Sequence, residues 1–520
     1  MIPCLAWVRR GVAKENPDKV TLSKEELKEV IDDARERLRE KKEEKAQENN
    51  VNSDSTSSKE KTKTEKSNEE DEDLEEILNE YDLGNYDDQE EEGIRMEGAG
   101  MAGLSYYTSN DEDPYVLIKD ELDEDKDDFT IANTDNLIIS GHIEDEFSNL
   151  EILLWNEEED NYYVHHDILM DSFPLALEWI DFDPDGSPKP GNFVAVGTME
   201  TYINIWDLDV IDCLEPAATL GKKKRKNKKK SKSSSDMGHQ GAVLDLSWNH
   251  NIRNVLSSGS SDNTVILWDM AEAKAVHVLR HHKDKVQTLE FHPYEPQSLL
   301  TGSFDKRAKV VDCRSPESNV KSWKFNGEVE KVIWNHFSPF NFLASTDNGC
   351  VYCCDVRTDS PVFTINAHDS AIGGLSLSSQ VPGCLLTASA DNTIKVWDIK
   401  DDKPAFILSR DMKMGHIMNA SCCPDSPFVF AFGGEKQGVQ LFNIMESGPV
   451  RRHFEGRKRL TRAVGSTTSS AENTKPLDDE QAEGAEKSRD EPEAMDEESA
   501  SAAIAQLNLT GAKKKKKKRK

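Results

Sequence analysis

The sequence has few of the features that would indicate a membrane protein, a secreted protein or a disulfide-bonded domain. Its 520 residues contain no apolar run of the roughly 18 residues that a membrane-spanning helix needs, so no such helix is expected. The first residues lack the basic-then-apolar order of a secretory signal peptide. Nine cysteines, at spacings that do not repeat, give no disulfide framework. We therefore expect an intracellular protein whose thiols are reduced.

Catalytic motifs are also missing. There is no Gly-x-x-x-x-Gly-Lys-Ser/Thr phosphate loop, no Gly-x-Ser-x-Gly nucleophile elbow and no His-Glu-x-x-His zinc motif. Residues with metal-binding side chains cluster at 165–167 (His-His-Asp), at 350–354 and at 422–423, but none of these clusters has a partner that would complete four ligands. We interpret them as packed strand residues. The sequence thus predicts no enzyme, no cofactor and no metal site.

What the sequence does contain is a repeated unit. It closes with Asp262-Asn-Thr-Val-Ile-Leu-Trp-Asp269, and the phrase returns as Asp391-Asn-Thr-Ile-Lys-Val-Trp-Asp398. The next-to-last position of this phrase recurs every 43 residues, at Trp268, Val311, Cys354 and Trp397. A period of about 40–45 residues with a Trp-Asp ending is typical of a four-stranded propeller blade.

Degenerate copies of the ending extend the repeat in both directions, at Trp155, Trp206 and Phe442. Seven endings predict an all-β fold, a seven-bladed β-propeller. Because one blade cannot bury both faces of its small sheet alone, the blades must stack in a closed ring.

We predict four parts along the chain. They are an N-terminal strand and amphipathic helix (1–47), an acidic disordered segment (48–112), the propeller (113–456, with a basic insertion at 221–236) and a disordered tail ending in polylysine (457–520). The apolar residues 3–8 are expected to form a strand that completes an outer edge of the propeller. Residues 113–118 are expected to form a strand that leads into the first blade.

The net charge of −33 is unevenly distributed along the chain. Between Glu69 and Glu92 there are 14 acidic residues and no basic ones. Such a tract can bind basic partners such as histones or ribosomal proteins, or it can be a solvated tail, and both interpretations remain open. Ser67 and Ser488 precede acidic residues and are candidate phosphorylation sites.

Two lysine-rich tracts carry the opposite charge. Their basic residues include Lys222, Lys223, Lys224, Arg225, Lys226, Lys228, Lys229 and Lys230 in the first, and Lys513, Lys518, Arg519 and Lys520 in the second. They fit nuclear import signals, phosphate-contacting arms for RNA or DNA, or, for the first tract, a merely tolerated insertion.

The repeat resembles the WD-repeat family. In that family the His, turn Asp and Trp of a blade form a buried hydrogen-bonded network, which makes physical sense because buried polar groups must be paired. The resemblance implies structural roles for His239, Asp262, Trp268, His282, Asp305, His368, Asp391, Trp397, Trp206 and Asp207. It also implies that the first lysine-rich tract, just before His239, projects from the face that carries the turn Asp residues.

A more specific resemblance is to the periodic tryptophan protein 1 family. It rests on phrases spread over most of the chain: Ala6-Trp-Val-Arg, Gly11-Val-Ala-Lys14, Asp113-Pro-Tyr-Val116, Tyr163-Val-His-His-Asp-Ile168, Val243-Leu-Asp-Leu-Ser-Trp-Asn249, Trp334-Asn-His-Phe-Ser-Pro339, Asp411-Met-Lys-Met-Gly415 and Phe430-Ala-Phe-Gly-Gly434. The two tails are not covered by it.

This second resemblance implies a nuclear, mainly nucleolar protein without enzymatic activity. It implies a role in ribosome biogenesis, in ribosomal RNA transcription or processing, with some chromatin-linked activity. The expected partners are pre-ribosomal particle proteins and ribosomal RNA, followed by histones, chromatin and RNA polymerase I machinery. No membrane and no small-molecule substrate are expected. A histone-binding chromatin adaptor is the alternative.

Overall fold

The structure, a computed structural model, describes residues 1–20, 129–144, 147–187, 189–221, 238–316 and 320–460. These residues belong to one of two units of the chain, and the other unit, Thr21–Asp125, lies outside the described residues. Also outside them lie the predicted helix after Ser23, the acidic tracts, the predicted strand at 113–118, both lysine-rich tracts, Ser67 and Ser488.

Seven antiparallel sheets form the described chain, which confirms the predicted seven-bladed propeller. Blade 1 contains β1 (Cys4–Val8), β3 (Asn136–Glu144), β4 (Phe147–Asn156) and β5 (Asn161–Leu169). Blade 2 contains β6 (Pro174–Ile180), β7 (Phe193–Thr198), β8 (Ile203–Asp207) and β10 (Ala218–Leu220). A short parallel pair, β2 (Asp18–Lys19) and β9 (Val210–Ile211), lies beside them.

Blades 3 to 6 each have four consecutive strands. Blade 3 contains β11 (Val243–Trp248), β12 (Val255–Ser260), β13 (Val265–Asp269) and β14 (Lys274–Leu279). Blade 4 contains β15 (Val286–Phe291), β16 (Ser298–Ser303), β17 (Arg307–Asp312) and β18 (Val320–Lys324). Blade 5 contains β19 (Val329–Trp334), β20 (Asn341–Thr346), β21 (Cys350–Asp355) and β22 (Pro361–Asn366). Blade 6 contains β23 (Gly374–Leu377), β24 (Cys384–Ala388), β25 (Thr393–Asp398) and β26 (Ala405–Asp411).

Blade 7 has three strands among the described residues, namely β27 (Ile417–Cys422), β28 (Val429–Gly434) and β29 (Gln440–Asn443). The first strand of each blade is its innermost strand, and these seven strands contact one another around the ring. The contact between β27 and β1 closes this ring. The two ends of the propeller are therefore joined by the packing of non-consecutive parts of the chain.

The position of β1 corrects the sequence analysis. The prediction that residues 3–8 complete an outer edge is wrong, because β1 pairs with β3 as the innermost strand of blade 1 and contacts β6 and β27. All five residues of β1 are buried. A strand that is apolar on both faces is stable only where it is covered on both faces, and an inner strand between two blades meets that condition.

The core lies between neighbouring blades. Along β13, Ile266 and Trp268 pack toward blade 2, whereas Val265 and Leu267 pack toward blade 4. This alternation follows from the two-residue period of a strand. Each blade is thus stabilised by burial against both of its neighbours.

After β29 the chain leaves the last blade through a 3-10 turn (Ile444–Glu446) and the helix α1 (Gly448–Phe454). Val450 and Phe454 of α1 are buried in the cluster between blades 6 and 7. The sequence analysis placed residues 457–460 in the tail, but Arg457 bonds Asp398, and the Leu460 N–H donates to the Gln380 carbonyl at 2.7 Å. Within the described part of the chain, no helix has the length and apolar character needed to cross a membrane.

Candidate functional site

In blade 3 the predicted polar residues form one chain of hydrogen bonds. His239 lies before β11, and its Nδ1 is 3.2 Å from Asp262 Oδ2 in the turn between β12 and β13. His239 Nε2 is 2.7 Å from Ser258 Oγ, which accepts from Trp268 Nε1 at 2.8 Å. Because the indole N–H can only donate, the Ser258 hydroxyl donates to Nε2, and the Nδ1–H donates to Asp262. Every member is therefore paired.

Blade 6 repeats this arrangement. His368 Nδ1 is 2.9 Å from Asp391 Oδ2, and its Nε2 is 2.8 Å from Thr387 Oγ1. Trp397 Nε1 donates to the same Thr387 hydroxyl at 3.2 Å. The network again connects three strands of one sheet, so it fixes their register.

Blade 4 has a shorter version. His282 lies 3.0 Å from Asp305 Oδ2 and 2.9 Å from Thr301 Oγ1, but Val311 occupies the Trp position. The second carboxylate oxygen of Asp305 has no partner among the described residues. In blade 3 the equivalent oxygen of Asp262 accepts from the Thr264 side chain, and blade 4 has Arg307 at that position.

Ionisation in these networks has a clear direction. Burial raises the pKa of Asp262, Asp305 and Asp391, but hydrogen bonds from the neighbouring groups outweigh it and hold each pKa below its usual value. Burial lowers the pKa of His282 and His368. At neutral pH these pairs therefore combine a charged carboxylate with a neutral imidazole. Both ring nitrogens of each His are bonded within its own blade, so neither faces a substrate.

Trp206 and Asp207 do not join such a network. The Trp206 indole N–H has no hydrogen-bond partner among the described residues, and the ring packs in the cluster between blades 1 and 2. The reason is that Val196 stands ten residues before Trp206, where blades 3 and 6 have a hydroxyl residue. Asp207 instead accepts from the Asp209 N–H at 2.9 Å, which stabilises the turn after β8.

The sequence analysis missed the hydroxyl residues that connect His to Trp. Ser258, Thr301 and Thr387 lie ten residues before Trp268, Val311 and Trp397. Aligning the copies by their 43-residue period would have revealed a Ser or Thr at this position in three blades. A buried indole N–H and imidazole also require a partner that both donates and accepts, which a hydroxyl does.

The turns that carry Asp262, Asp305 and Asp391 define one face of the propeller, here called the turn face. The loops before the inner strands reach the same face, since the Gln240 N–H donates to Asp262 Oδ2 at 2.8 Å. Gly221 lies beside the blade 2 turn at Thr201 and Tyr202. Both described ends of the first lysine-rich tract, Gly221 and Gly238, are thus at the turn face.

The inner strands also bond one another through side chains. Glu178 Oε1 of β6 accepts from the Trp248 N–H of β11 at 3.0 Å, and Asp245 Oδ2 of β11 accepts from the Leu289 N–H of β15 at 2.9 Å. The sequence analysis did not single out these carboxylates. They hold neighbouring blades together at the channel wall.

The inner strands enclose a central channel of about 690 Å³. Lys331 Nζ lies 3.2 Å from Asp245 Oδ2 within it, and although burial opposes the charged form, Asp245 raises the pKa of Lys331. Burial raises the pKa of Glu178 to about 8. No three His, Cys, Asp or Glu side chains of the described chain are placed to hold a metal ion.

The remaining candidate clusters are packed side chains. His165 and His166 are buried in β5 with their Nδ1 atoms 2.8 Å apart, and burial lowers the pKa of both. Burial raises the pKa of Cys353 and Cys354 to about 12, so both remain thiols. Cys423, expected within a strand, lies one residue beyond β27.

Comparison with known proteins places the repeat in a wider context. The WD domain, G-beta repeat model matches residues 231–269, 273–312 and 359–398, which contain the His–Asp pairs of blades 3, 4 and 6. The periodic tryptophan protein 1 homolog of Drosophila melanogaster is 36% identical over 459 residues, covering 87% of this chain and 96% of that protein. Periodic tryptophan protein 1 of Saccharomyces cerevisiae is 30% identical over 528 residues, covering 88% and 90%. The WD40 beta propeller domain of Doa1 is 20% identical with a TM-score of 0.45, covering 59% of this chain and 88% of that one.

Proposed function

This chain belongs to the periodic tryptophan protein 1 family of WD-repeat proteins, and from that premise we propose that it is a non-catalytic scaffold in ribosome biogenesis. It acts in the nucleus, mainly in the nucleolus, and supports the transcription or processing of ribosomal RNA. Its partners are proteins and ribosomal RNA of pre-ribosomal particles.

One observation carries this proposal. The chain ends that flank the first lysine-rich tract lie on the turn face, beside loops that an all-β ring holds rigidly. Eight basic residues between positions 222 and 230 leave the fold at that face. Lys and Arg side chains bind phosphates without reading the base sequence, so the contact with RNA is sequence-independent and salt-sensitive.

A scaffold role, as opposed to catalysis, is supported by how the polar residues are used. The His and Asp side chains of blades 3, 4 and 6 are bonded within their blades, and the channel carboxylates Glu178 and Asp245 bond the next inner strand. What such a fold offers is a rigid rim of loops with charged extensions.

The proposal is tested by purifying the tagged full-length protein from nuclear extract, with and without ribonuclease. We expect ribosomal RNA precursors and assembly factors to co-purify and to be lost after ribonuclease treatment. A variant in which the eight basic residues at 222–230 are Ser should fold normally and retain less RNA. The matched control carries Ser at the basic residues of 513–520, and the combined variant separates the two tracts. Purification of the wild-type protein without ribosomal RNA would contradict the proposal.

The alternative is a chromatin-associated adaptor that binds histones. It is favoured by the 14 acidic residues between Glu69 and Glu92, which could shield basic histone surfaces. Histones and polymerase subunits that remain bound after ribonuclease treatment would support it. Binding of purified histones that is lost on a modest increase in salt would reduce it to nonspecific charge attraction.

A further inference from the structure

The outer edge of blade 7 differs from that of the other blades. Blades 1 to 6 have four strands, whereas among the described residues blade 7 ends at β29. The Ile444 N–H donates to the Phe428 carbonyl of blade 7, so by alternation the backbone groups of Phe442 face β28 and those of Leu441 face outward. No described residue bonds the outward groups of Leu441. An unpaired edge of this kind is a template for another strand.

The outer strands of the two neighbouring blades flank this edge. On the blade 1 side, Tyr162 and Val164 are 41% and 49% exposed, and they pair with Trp155 and Leu153, which pack against blade 7. The Tyr162 hydroxyl donates to the Val439 carbonyl at the start of this edge, at 2.7 Å.

On the blade 6 side, the Arg410 guanidinium lies 4.0 Å from the centre of the Phe442 ring. Leu408 of β26 packs against the cluster that contains Phe442. The edge therefore lies in a slot one strand wide with largely apolar walls, and a strand placed there would bury side chains on both of its faces.

We propose that Tyr115-Val-Leu-Ile118 of the same chain pairs with β29 as the fourth strand of blade 7. The outer strands of blades 5 and 6 begin at Pro361 or directly after Pro404, and Pro114 precedes this segment in the same way. Proline suits the first residue of an outer strand, because it has no N–H to leave unpaired. Four consecutive apolar residues suit a strand that is covered on both faces.

The lengths and connections are compatible. β29 has four residues, and β10, the outer strand of blade 2, has three, so a four-residue strand is sufficient. The chain re-enters the described residues at Phe129, whose carbonyl accepts from His165 of β5 in blade 1 at 3.0 Å. The intervening residues 119–128 can span up to about 33 Å, which is ample for reaching the neighbouring blade.

Hydrogen–deuterium exchange of the full-length protein tests the proposal. In the wild type, the Leu441 amide should exchange slowly. Val116→Pro and Leu117→Pro are made separately, because adjacent residues direct their N–H groups to opposite sides of a strand. At least one of them should accelerate exchange at Leu441 by tenfold or more, whereas Val51→Pro, the matched control, should not. Fast exchange in the wild type, or protection that neither variant changes, would overturn the proposal.

A second measurement identifies the occupant even if a proline variant fails to fold. Leu441→Cys is combined in turn with Cys at Tyr115, Val116, Leu117 and Ile118, and the disulfides formed under mild oxidation are mapped by mass spectrometry. Intramolecular bonds that alternate along the segment are expected. Bonds between two copies of the chain would assign the edge to a second molecule, and the absence of any bond would assign it to a different partner; both results would overturn the proposal.

Discussion

At the scale of single residues, Ser258 connects two side chains that would otherwise be buried without partners. Its hydroxyl accepts from the Trp268 indole N–H and donates to His239 Nε2. Thr387 does the same in blade 6. These hydroxyl residues are small and have common side chains, which is why composition alone does not draw attention to them.

Ser258→Ala should lower the free energy of unfolding by about 1–3 kcal/mol, because it leaves an indole N–H and an imidazole nitrogen unpaired. Trp268→Ala should lower it by roughly 3–5 kcal/mol, since it also leaves a large cavity. Urea unfolding measures both changes. The exposed Ser261→Ala is the control and should change it by no more than about 0.5 kcal/mol. Equal stabilities of the three variants would contradict the network.

Arg307→Thr should stabilise blade 4. A Thr at this position can donate to the unpaired oxygen of Asp305, as Thr264 donates to Asp262 in blade 3. The expected gain in the free energy of unfolding is about 0.5–1.5 kcal/mol. Arg307→Val, which has the same shape without the hydroxyl, is the control, and an identical gain in both variants would refute the hydrogen-bond explanation.

At the scale of secondary-structure elements, the segment after the last blade is held by one carboxylate. Asp398 accepts two hydrogen bonds from Arg457, at 2.8 and 2.6 Å, and one from His453 at 2.7 Å. Burial opposes the charged carboxylate, but these donors lower the pKa of Asp398 to about 2. The segment 448–460 is therefore fastened to blade 6 at neutral pH.

The pH dependence of this attachment has a definite sign. Because the folded-state pKa of Asp398 is depressed, its contribution to stability is present above about pH 4 and is lost as the pH falls through about 2. Arg457→Gln should therefore lower the urea midpoint at pH 7, and the difference from wild type should shrink between pH 4 and 2. The more exposed pair of Arg314 and Asp312 provides the control, Arg314→Gln, for which a smaller difference is expected. A difference for Arg457→Gln that is constant with pH would contradict the assignment.

Deletion of residues 2–8 should prevent folding of the propeller. These residues include β1, which is the inner strand of blade 1 and joins β6 to β27. We expect loss of the cooperative thermal transition, whereas deletion of residues 461–520 should leave it intact. A deletion of 2–8 that unfolds at the wild-type temperature would show that β1 is dispensable.

The elements show which information the sequence carried. The 43-residue period and the Trp-Asp endings were enough to count seven blades, because each copy needs the same turn and the same alternation. They were not enough to place β1, because apolar residues on both faces fit any covered strand and the pairing with β3 spans more than 100 residues of chain. Trp206 was assigned to a network by its type, but Val196 decides that it has none.

At the scale of the whole molecule, the account describes a ring whose conserved chemistry is internal and whose outward chemistry is electrostatic. The buried His–Asp pairs and the carboxylates of the inner strands fix the blades, and the turn face carries the ends of a lysine-rich tract. Such a molecule binds through its rim and its charged extensions.

Binding of RNA through the lysine-rich tract should depend steeply on salt. If 6–10 phosphate contacts form, the affinity should fall by about 10³–10⁵-fold between 50 and 200 mM salt, because condensed counterions are released on binding. Fluorescence anisotropy with two unrelated RNA sequences of equal length measures this. Similar affinities for both, with a reduced salt slope in the Ser variant of 222–230, are expected. A strong preference for one sequence would contradict a phosphate-only contact.

The most direct test of the central claim is the sedimentation of the protein in nuclear extract on a sucrose gradient. The account predicts that the 58.4 kDa chain sediments with large particles that contain ribosomal RNA precursors and moves to light fractions after ribonuclease treatment. Sedimentation as a free protein, or with chromatin that ribonuclease does not disturb, would contradict it.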